Sequence, residues 1–456
     1  MKKKEVVVLE FQEFDLDGTS KAHCESKTIT AKHAIPGQVA KVYIKKLRGN
    51  KGEGRVMEVV HKSPLETEEV CAHFDVCGGC SLLPVAYKEQ LELKRKALIR
   101  RFEQKGHEEF SDLEIVGSPE PREYKNKMEF TFGNEEKDGP LTLGMHMTTR
   151  SNSIVFVEDC RIIDEDYRRI LKLTKEHFEE EGLPFYHIMR REGCLRHLVL
   201  RKGKNTGEIL VNLVTTTQKE LDTSTYVQKL KSLELDGKIE GVLHTYNDSF
   251  SDAVVPEKVE VLHGSPIFKD KLLGKEFRIS PFSFFQTNTR GAEVLYATLR
   301  KMVEEVLIGK EEETVFDLYS GTGTIGILLS DVAKHITSIE IVEEAVDMAR
   351  ENAVLNGVDN VRFIAGDVAK EVGKLEEKPY LIILDPPRSG IHPKAMGDIL
   401  SFEAENIVYV SCNPKVFADE LQTFKNAGYN IVKSTAVDQF PNTNHVEMIV
   451  LMSKER

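Results

Sequence analysis

The 456-residue chain is 40% hydrophobic and 30% charged, a balance that suits a folded protein of roughly three units at about 150 residues each and excludes a disordered chain. No run approaches the roughly 18 apolar residues of a membrane span, and the apolar stretch Val6–Leu9 behind Met-Lys-Lys-Lys is too short for a secretion signal, so a cytoplasmic address without membrane association is expected. The net charge of −12 excludes adhesion of the whole surface to nucleic acid, but basic stretches at 41–55, 94–101 and 190–204 suit a local basic channel, although each taken alone also reads as a solvated face.

Residues 1–60 alternate apolar and polar over short runs (VVVLEF, SKTITA, QVAKVYIKK, EGRVMEVV), broken by Pro36-Gly37 and by Gly49-Asn50-Lys51-Gly52. That pattern predicts a small all-β barrel of the OB type, used for single-stranded nucleic acid or for folding and docking alone. Residues 61–275 read as a β-rich central domain with a helix near 165–181. A helix from about Val85 to Lys105 interrupts it and is free to pack on the C-terminal domain.

Seven cysteines in a reducing compartment are expected as thiols, so clusters among them point to metal or catalysis. Cys71, Cys77 and Cys80 share one tight loop, and Cys160 is a plausible fourth ligand. Four sulfurs suit zinc and an iron–sulfur cluster equally. Cys24 and Cys194 have no partner by spacing.

From 276 to 456 strands alternate with helices, beginning with an amphipathic helix at about 290–306 and continuing through VFDLY, HITSIEIV, VRFIAG and YLIILD. This predicts an α/β, Rossmann-like doubly wound sheet. Gly321, Gly323 and Gly326, with Thr324 between, form a Gly-x-Gly-x-x-Gly turn after a strand, where the backbone approaches a ligand closely; a dinucleotide enzyme would show the same turn. Glu340 ends the next strand, where a carboxylate accepts from both ribose hydroxyls. Asp367 is placed to meet an adenine edge. Asp385 ends an apolar strand, in an Asp-Pro-Pro-Arg sequence that an amino-methylating enzyme would also carry.

Cys412 stands at the carboxyl end of another buried strand, IVYVS, and Asn413-Pro414 breaks that strand directly behind it. Free cysteine is most often a small buried hydrophobe. Here the thiol is left at the crevice rim with Asp385, as a nucleophile would be. Glu447, opening the strand EMIVLM, and His445 are equal rivals as a general base.

The strings DLYSGTGTIG, LDPPRSG, VYVSCNP and DQFPNTNHVE, with SFFQTN at 283–288, resemble the class I RNA uracil-5-methyltransferases over nearly the whole chain. The resemblance implies Cys412 as nucleophile toward carbon 6 of a uracil and Glu447 as the base. It also implies Gln286, Tyr319, Glu340 and Asp385 around S-adenosylmethionine, and a [4Fe-4S] cluster on Cys71, Cys77, Cys80 and Cys160. Members with an N-terminal TRAM/OB-like barrel and such cysteines resemble the 23S ribosomal RNA enzymes more than the transfer RNA enzyme. A loop uridine of 23S rRNA is therefore the expected partner, with no obligatory protein partner, and tRNA is the alternative. Ser320, Val416 and Asn442 depart from residues common in the family. An inactive RNA-binding or ribosome assembly factor is the reading from another class, and intact Cys412 and Glu447 argue against it. A nicotinamide oxidoreductase explains neither Ser-Cys-Asn-Pro nor the barrel.

Overall fold

A computed structural model describes residues 1–68, 71–148, 150 and 152–454. The chain forms two compact units from interleaved stretches: Met1–Glu69, Ser81–Pro119 and Gly291–Arg456 make one, Val70–Cys80 and Glu120–Arg290 the other. Residues 81–119 thus belong to the first unit although stretches of the second unit flank them on both sides.

In that first unit, the N-terminal stretch forms a six-stranded sheet ordered Val6–Glu10, Val39–Arg48, Lys51–His61, Lys27–Lys32, Thr19–Cys24, Glu13–Phe14. Its alternation places Ile29, Ala31, Ala40, Val42 and Ile44 in one small core, as a period of two requires. Leu16, on the turn between the last two strands, instead joins the large core of the C-terminal sheet.

That C-terminal sheet has eight strands, ordered Val361–Ala365, His335–Glu340, Thr314–Leu318, Leu381–Leu384, Asn406–Ser411, Glu447–Lys454, Tyr429–Val437, Glu114–Val116. The first five run parallel. Leu381–Leu384 and Asn406–Ser411 are buried at every position, as central strands covered by helices on both faces must be. Only Glu447–Lys454 runs antiparallel, to both of its neighbours.

Helix α1 (Tyr87–Glu103) also belongs to this unit. It buries Gln90, Lys94, Ala97, Leu98 and Phe102, a single helical face that mixes polar with apolar side chains. Phe102 stacks on Phe110 at 3.9 Å and meets Phe417 edge-on at 6.1 Å, which fixes the C-terminal end of α1.

The second unit is built on a seven-stranded sheet running from Ile154–Val155 at one edge to Lys258–Gly264 at the other, with helices Glu165–Glu180 and Ser224–Lys231. Asp164 caps the first of these helices by accepting from the Tyr167 amide at 3.2 Å. Among the described residues, no helix is long and apolar enough to cross a membrane.

Candidate active site

Parallel pairing brings the carboxyl ends of Thr314–Leu318, His335–Glu340, Leu381–Leu384 and Asn406–Ser411 to one rim, where an open α/β sheet holds its ligands. Glu447–Lys454 runs the opposite way, with Met448 paired to Ser411, so its first residue, Glu447, lies at that same rim, across from Cys412. A period-two ladder therefore sets the two side chains side by side although 34 residues of chain separate them.

The loop after Thr314–Leu318 takes left-handed backbone at Tyr319 (φ 68°), Gly321 (φ 54°) and Gly323 (φ 74°). A Cβ on Gly323 would sit 2.6 Å from Phe363 Cε1 and 2.8 Å from Ala349 Cβ, so only glycine fits there. A Cβ on Gly321 would meet nothing within 4 Å. The Gly321 amide donates to Glu340 Oε2 at 2.9 Å, and Glu340 Oε1 accepts from the Val342 amide at 3.0 Å. Thr324 opens the helix Thr324–Leu329 and is buried. Asp367 caps the short helix Val368–Glu371 by accepting from Ala369 N at 3.0 Å, and its charge, after burial, helps push the Tyr319 hydroxyl up to about 12. Gln286 belongs to the second unit, where its carbonyl accepts from Asn126 Nδ2 at 2.9 Å.

Three acids and a thiol share one electrostatic field at the rim. Burial, then the charge of Asp317, pushes the Asp385 carboxyl up to about 7. Burial, then Asp385, raises Glu447 to about 8. Burial, then Glu447 and Asp385, raises the Cys412 thiol to about 12. Arg388 opposes the last two shifts. The free site thus holds protons, because several anions beside one exposed cation cannot all be charged in a dry crevice.

Two of these groups escaped the sequence reading. Asp317 is fully buried; its Oδ2 accepts from Gly326 N and Ser338 Oγ, both at 3.1 Å, and burial raises it to about 7. Arg388 was legible as a cation three residues beyond Asp385. Its carbonyl accepts from Asn413 Nδ2 at 2.9 Å, which ties the Asp-Pro-Pro-Arg loop to the residue after Cys412. Helix Pro414–Asn426 begins just behind the thiol, where the positive end of its dipole favours a thiolate. The rival base His445 packs its ring edge-on against Phe440 at 6.1 Å.

Cys71, Cys77, Cys80 and Cys160 all lie in the second unit and burial raises all four; after burial, neighbouring cysteines push up Cys77, Cys160 (to about 11) and Cys80 (well above the usual thiol range), whereas Asp159 is the charge that raises Cys71. The amides of His73 and Gly79 donate to the sulfurs of Cys71 and Cys77, both at 3.4 Å. The chemistry of this donor set suits a cation. Among the described residues, no group of three or more His, Cys, Asp or Glu side chains is placed to hold a metal ion.

A sequence model described as tRNA (uracil-5-)-methyltransferase matches residues 269–455. An uncharacterized RNA methyltransferase of Caldanaerobacter subterraneus subsp. tengcongensis is 44% identical over 100% of both chains. A second, from Clostridium tetani, is 44% identical over 99% of this chain and 98% of its own. Among solved structures, the Pyrococcus abyssi tRNA (uracil-54, C5)-methyltransferase in complex with S-adenosyl-L-homocysteine superposes with a TM-score of 0.76 at 28% identity, covering 98% of this chain and 100% of that one.

Proposed function

The chain belongs to the S-adenosylmethionine-dependent RNA (uracil-5-)-methyltransferases, and from that premise we infer that it methylates a loop uridine through a covalent adduct on Cys412. The observation that carries this reading is the cross-strand placement of Cys412 and Glu447 at the rim that bears Asp385.

Carbon 5 of uracil is a weak nucleophile. The Cys412 thiolate adds to carbon 6, and the electron pair of the C5=C6 bond moves into an enolate that makes carbon 5 nucleophilic. Bound S-adenosylmethionine supplies an electrophilic methyl group on a cationic sulfonium. Once carbon 5 carries the methyl group, the Glu447 carboxylate takes the proton from carbon 5. The C5–H electrons re-form the C5=C6 bond, the C6–S bond breaks, and its electrons leave with Cys412. Glu447, raised to about 8, is tuned near neutral pH for such a transfer. Cys412 needs a fall from about 12, for which Arg388 and the helix end behind it provide positive potential.

The loop residues Tyr319, Gly321 and Thr324, with Glu340, Asp367 and Asp385, are the proposed cofactor contacts; Gln286 is assigned on resemblance. Mutation tests the chemistry. Cys412→Ala abolishes turnover and adduct while keeping S-adenosylmethionine binding. Glu447→Gln slows release by about 10²–10⁴-fold and accumulates a methylated protein–RNA adduct on denaturing gels. Unchanged methylation by Cys412→Ala would sink the mechanism.

For the substrate we propose 23S rRNA, supported by the combination of an N-terminal sheet, read as a TRAM/OB-like RNA-binding module, with four coupled cysteines. A specific observation favours tRNA as the second reading: the similar Pyrococcus abyssi enzyme, named for tRNA uracil-54, aligns with 98% of this chain, so the N-terminal sheet does not separate the two classes. Mapping lost 5-methyluridine by mass spectrometry in cells lacking the protein decides between them. An iron–sulfur cluster on the four cysteines is proposed on donor chemistry alone and takes no part in these steps.

A further inference from the structure

The reading of Glu447 as the base leaves open what holds it. Glu447 begins its strand, and the residues before it, 438–446, form an irregular connection from the strand Tyr429–Val437. The ladder sets the main chain of Glu447, but its carboxyl also depends on how this connection is held, and a misplacement of about 1 Å can cost ~10²-fold in rate. The connection is buried and pinned. Lys94 of α1 is 0% exposed; its Nζ donates to Asp438 Oδ1 at 2.6 Å, to Phe440 O at 3.1 Å and to His445 O at 3.0 Å. One ammonium thus engages both ends and the middle of the connection. One turn earlier, on the same face of α1, Gln90 Oε1 accepts from Asn442 N at 2.8 Å and its Nε2 donates to Asn442 Oδ1 at 3.0 Å. Asn442 itself has φ 67°, a left-handed conformation that these contacts support.

The far end of α1 grips the other partner. Arg101 donates to Lys415 O at 3.0 Å and to both Asp419 oxygens, at 3.0 and 2.9 Å, on the helix that follows Cys412. A buried ion pair is a poor device for stability, since apolar residues of similar volume usually serve as well. What an apolar pair cannot do is hold two main-chain carbonyls of an irregular segment in one geometry. Val437 pairs with Glu447 across the ladder, so Asp438, the anion that Lys94 binds, is one residue beyond the cross-strand partner of the base.

The geometry points to Lys94 and Gln90 as positioning residues for the Glu447 carboxyl, with α1 as the splint between the nucleophile's helix and the base's connection. They act on the step after methyl transfer, when carbon 5 must lose its proton. Two variants test this: Lys94→Met with Asp438→Leu, which removes both charges together, and the milder Gln90→Ala. The substrate is total RNA from cells lacking the protein, with S-adenosyl-[methyl-³H]methionine, and labelled protein–RNA adduct is followed on denaturing gels.

The expected result is methyl incorporation into the adduct within about threefold of the parent, while release slows about tenfold or more and labelled adduct accumulates. Equal slowing of both steps would mean that Lys94 and Gln90 only support the fold, and parental release in folded variants would mean that the splint is dispensable; either overturns the assignment. If the paired variant does not fold, Gln90→Ala alone decides by the same outcomes. Glu447→Gln, run beside them, separates this inference from its premise. No adduct from Glu447→Gln would refute Glu447 as the base, whereas adduct from Glu447→Gln but from neither α1 variant would refute only the positioning role.

Discussion

At the scale of single residues the site is an acid reservoir. Asp317 and Asp385, both raised to about 7, and Glu447, raised to about 8, hold protons in the folded protein that the unfolded chain, with carboxyl pKa values near ~4, gives up. A raised folded pKa stabilises the native state below the unfolded value, and the benefit is lost as pH rises through the folded value. The free protein should therefore lose thermal stability from about pH 4 to about pH 8, and the raised thiols of Cys412 and Cys160 should extend the loss above about pH 9. Among the carboxyls, Asp317 and Glu447 contribute most because they are buried outright, while Asp385 is half-buried and counts for less. Asp317→Asn should flatten the slope, with at most about 4 kcal/mol at stake; a variant whose melting temperature follows pH as the parent's does would contradict the buried protonated carboxyl. Cys412 was a candidate from its own string, whereas Glu447 stood level with His445 until the family resemblance favoured it. Arg388 stood in plain view and went unassigned because a cation in a loop has no period to mark it.

At the scale of elements, the loop after Thr314–Leu318 separates two uses of glycine. Gly323, with φ 74° and Phe363 and Ala349 against its missing side chain, is required for folding; Gly323→Ala should cost about 1–3 kcal/mol, read as a lower melting temperature. Gly321 has φ 54° and open space around it. Gly321→Ala should cost only about 1–2 kcal/mol in stability yet weaken S-adenosylmethionine binding measurably by calorimetry, because its methyl group would enter the space offered to the ligand. Equal affinity in parent and Gly321→Ala would remove that loop from the cofactor contacts. The helices expected near 165–181 and 290–306 form at Glu165–Glu180 and Thr289–Leu307, since amphipathic spacing is a local signal. Helix α1 was equally visible as a helix, but the purpose of its buried polar face was not. Lys94 and Asp438 are 344 positions apart, and a hydrogen bond over that distance leaves no trace in spacing.

At the scale of the whole molecule, the four cysteines of the second unit carry a test of their own. If they close on an iron–sulfur cluster, protein purified without oxygen should carry about four irons and four sulfides per chain with broad visible absorption, and Cys160→Ala should lose both. Zinc without a visible band would replace the cluster with a structural ion. The sequence alone determined the fold class, and it pointed to the reaction class through strings that resemble the RNA uracil-5-methyltransferases. Strand periodicity, glycine turns and a cysteine behind a buried strand are short-range patterns, and each lies within about ten residues of itself. The tertiary structure alone decided which parts belong together. Parallel and antiparallel pairing brought Asp385, Cys412 and Glu447 to one rim, and burial among one another's charges set their protonation. Residues 81–119 were joined to the C-terminal sheet rather than to the stretches flanking them. Those outcomes depend on contacts between residues far apart in sequence and on the dielectric around them, quantities that exist only once the chain has folded.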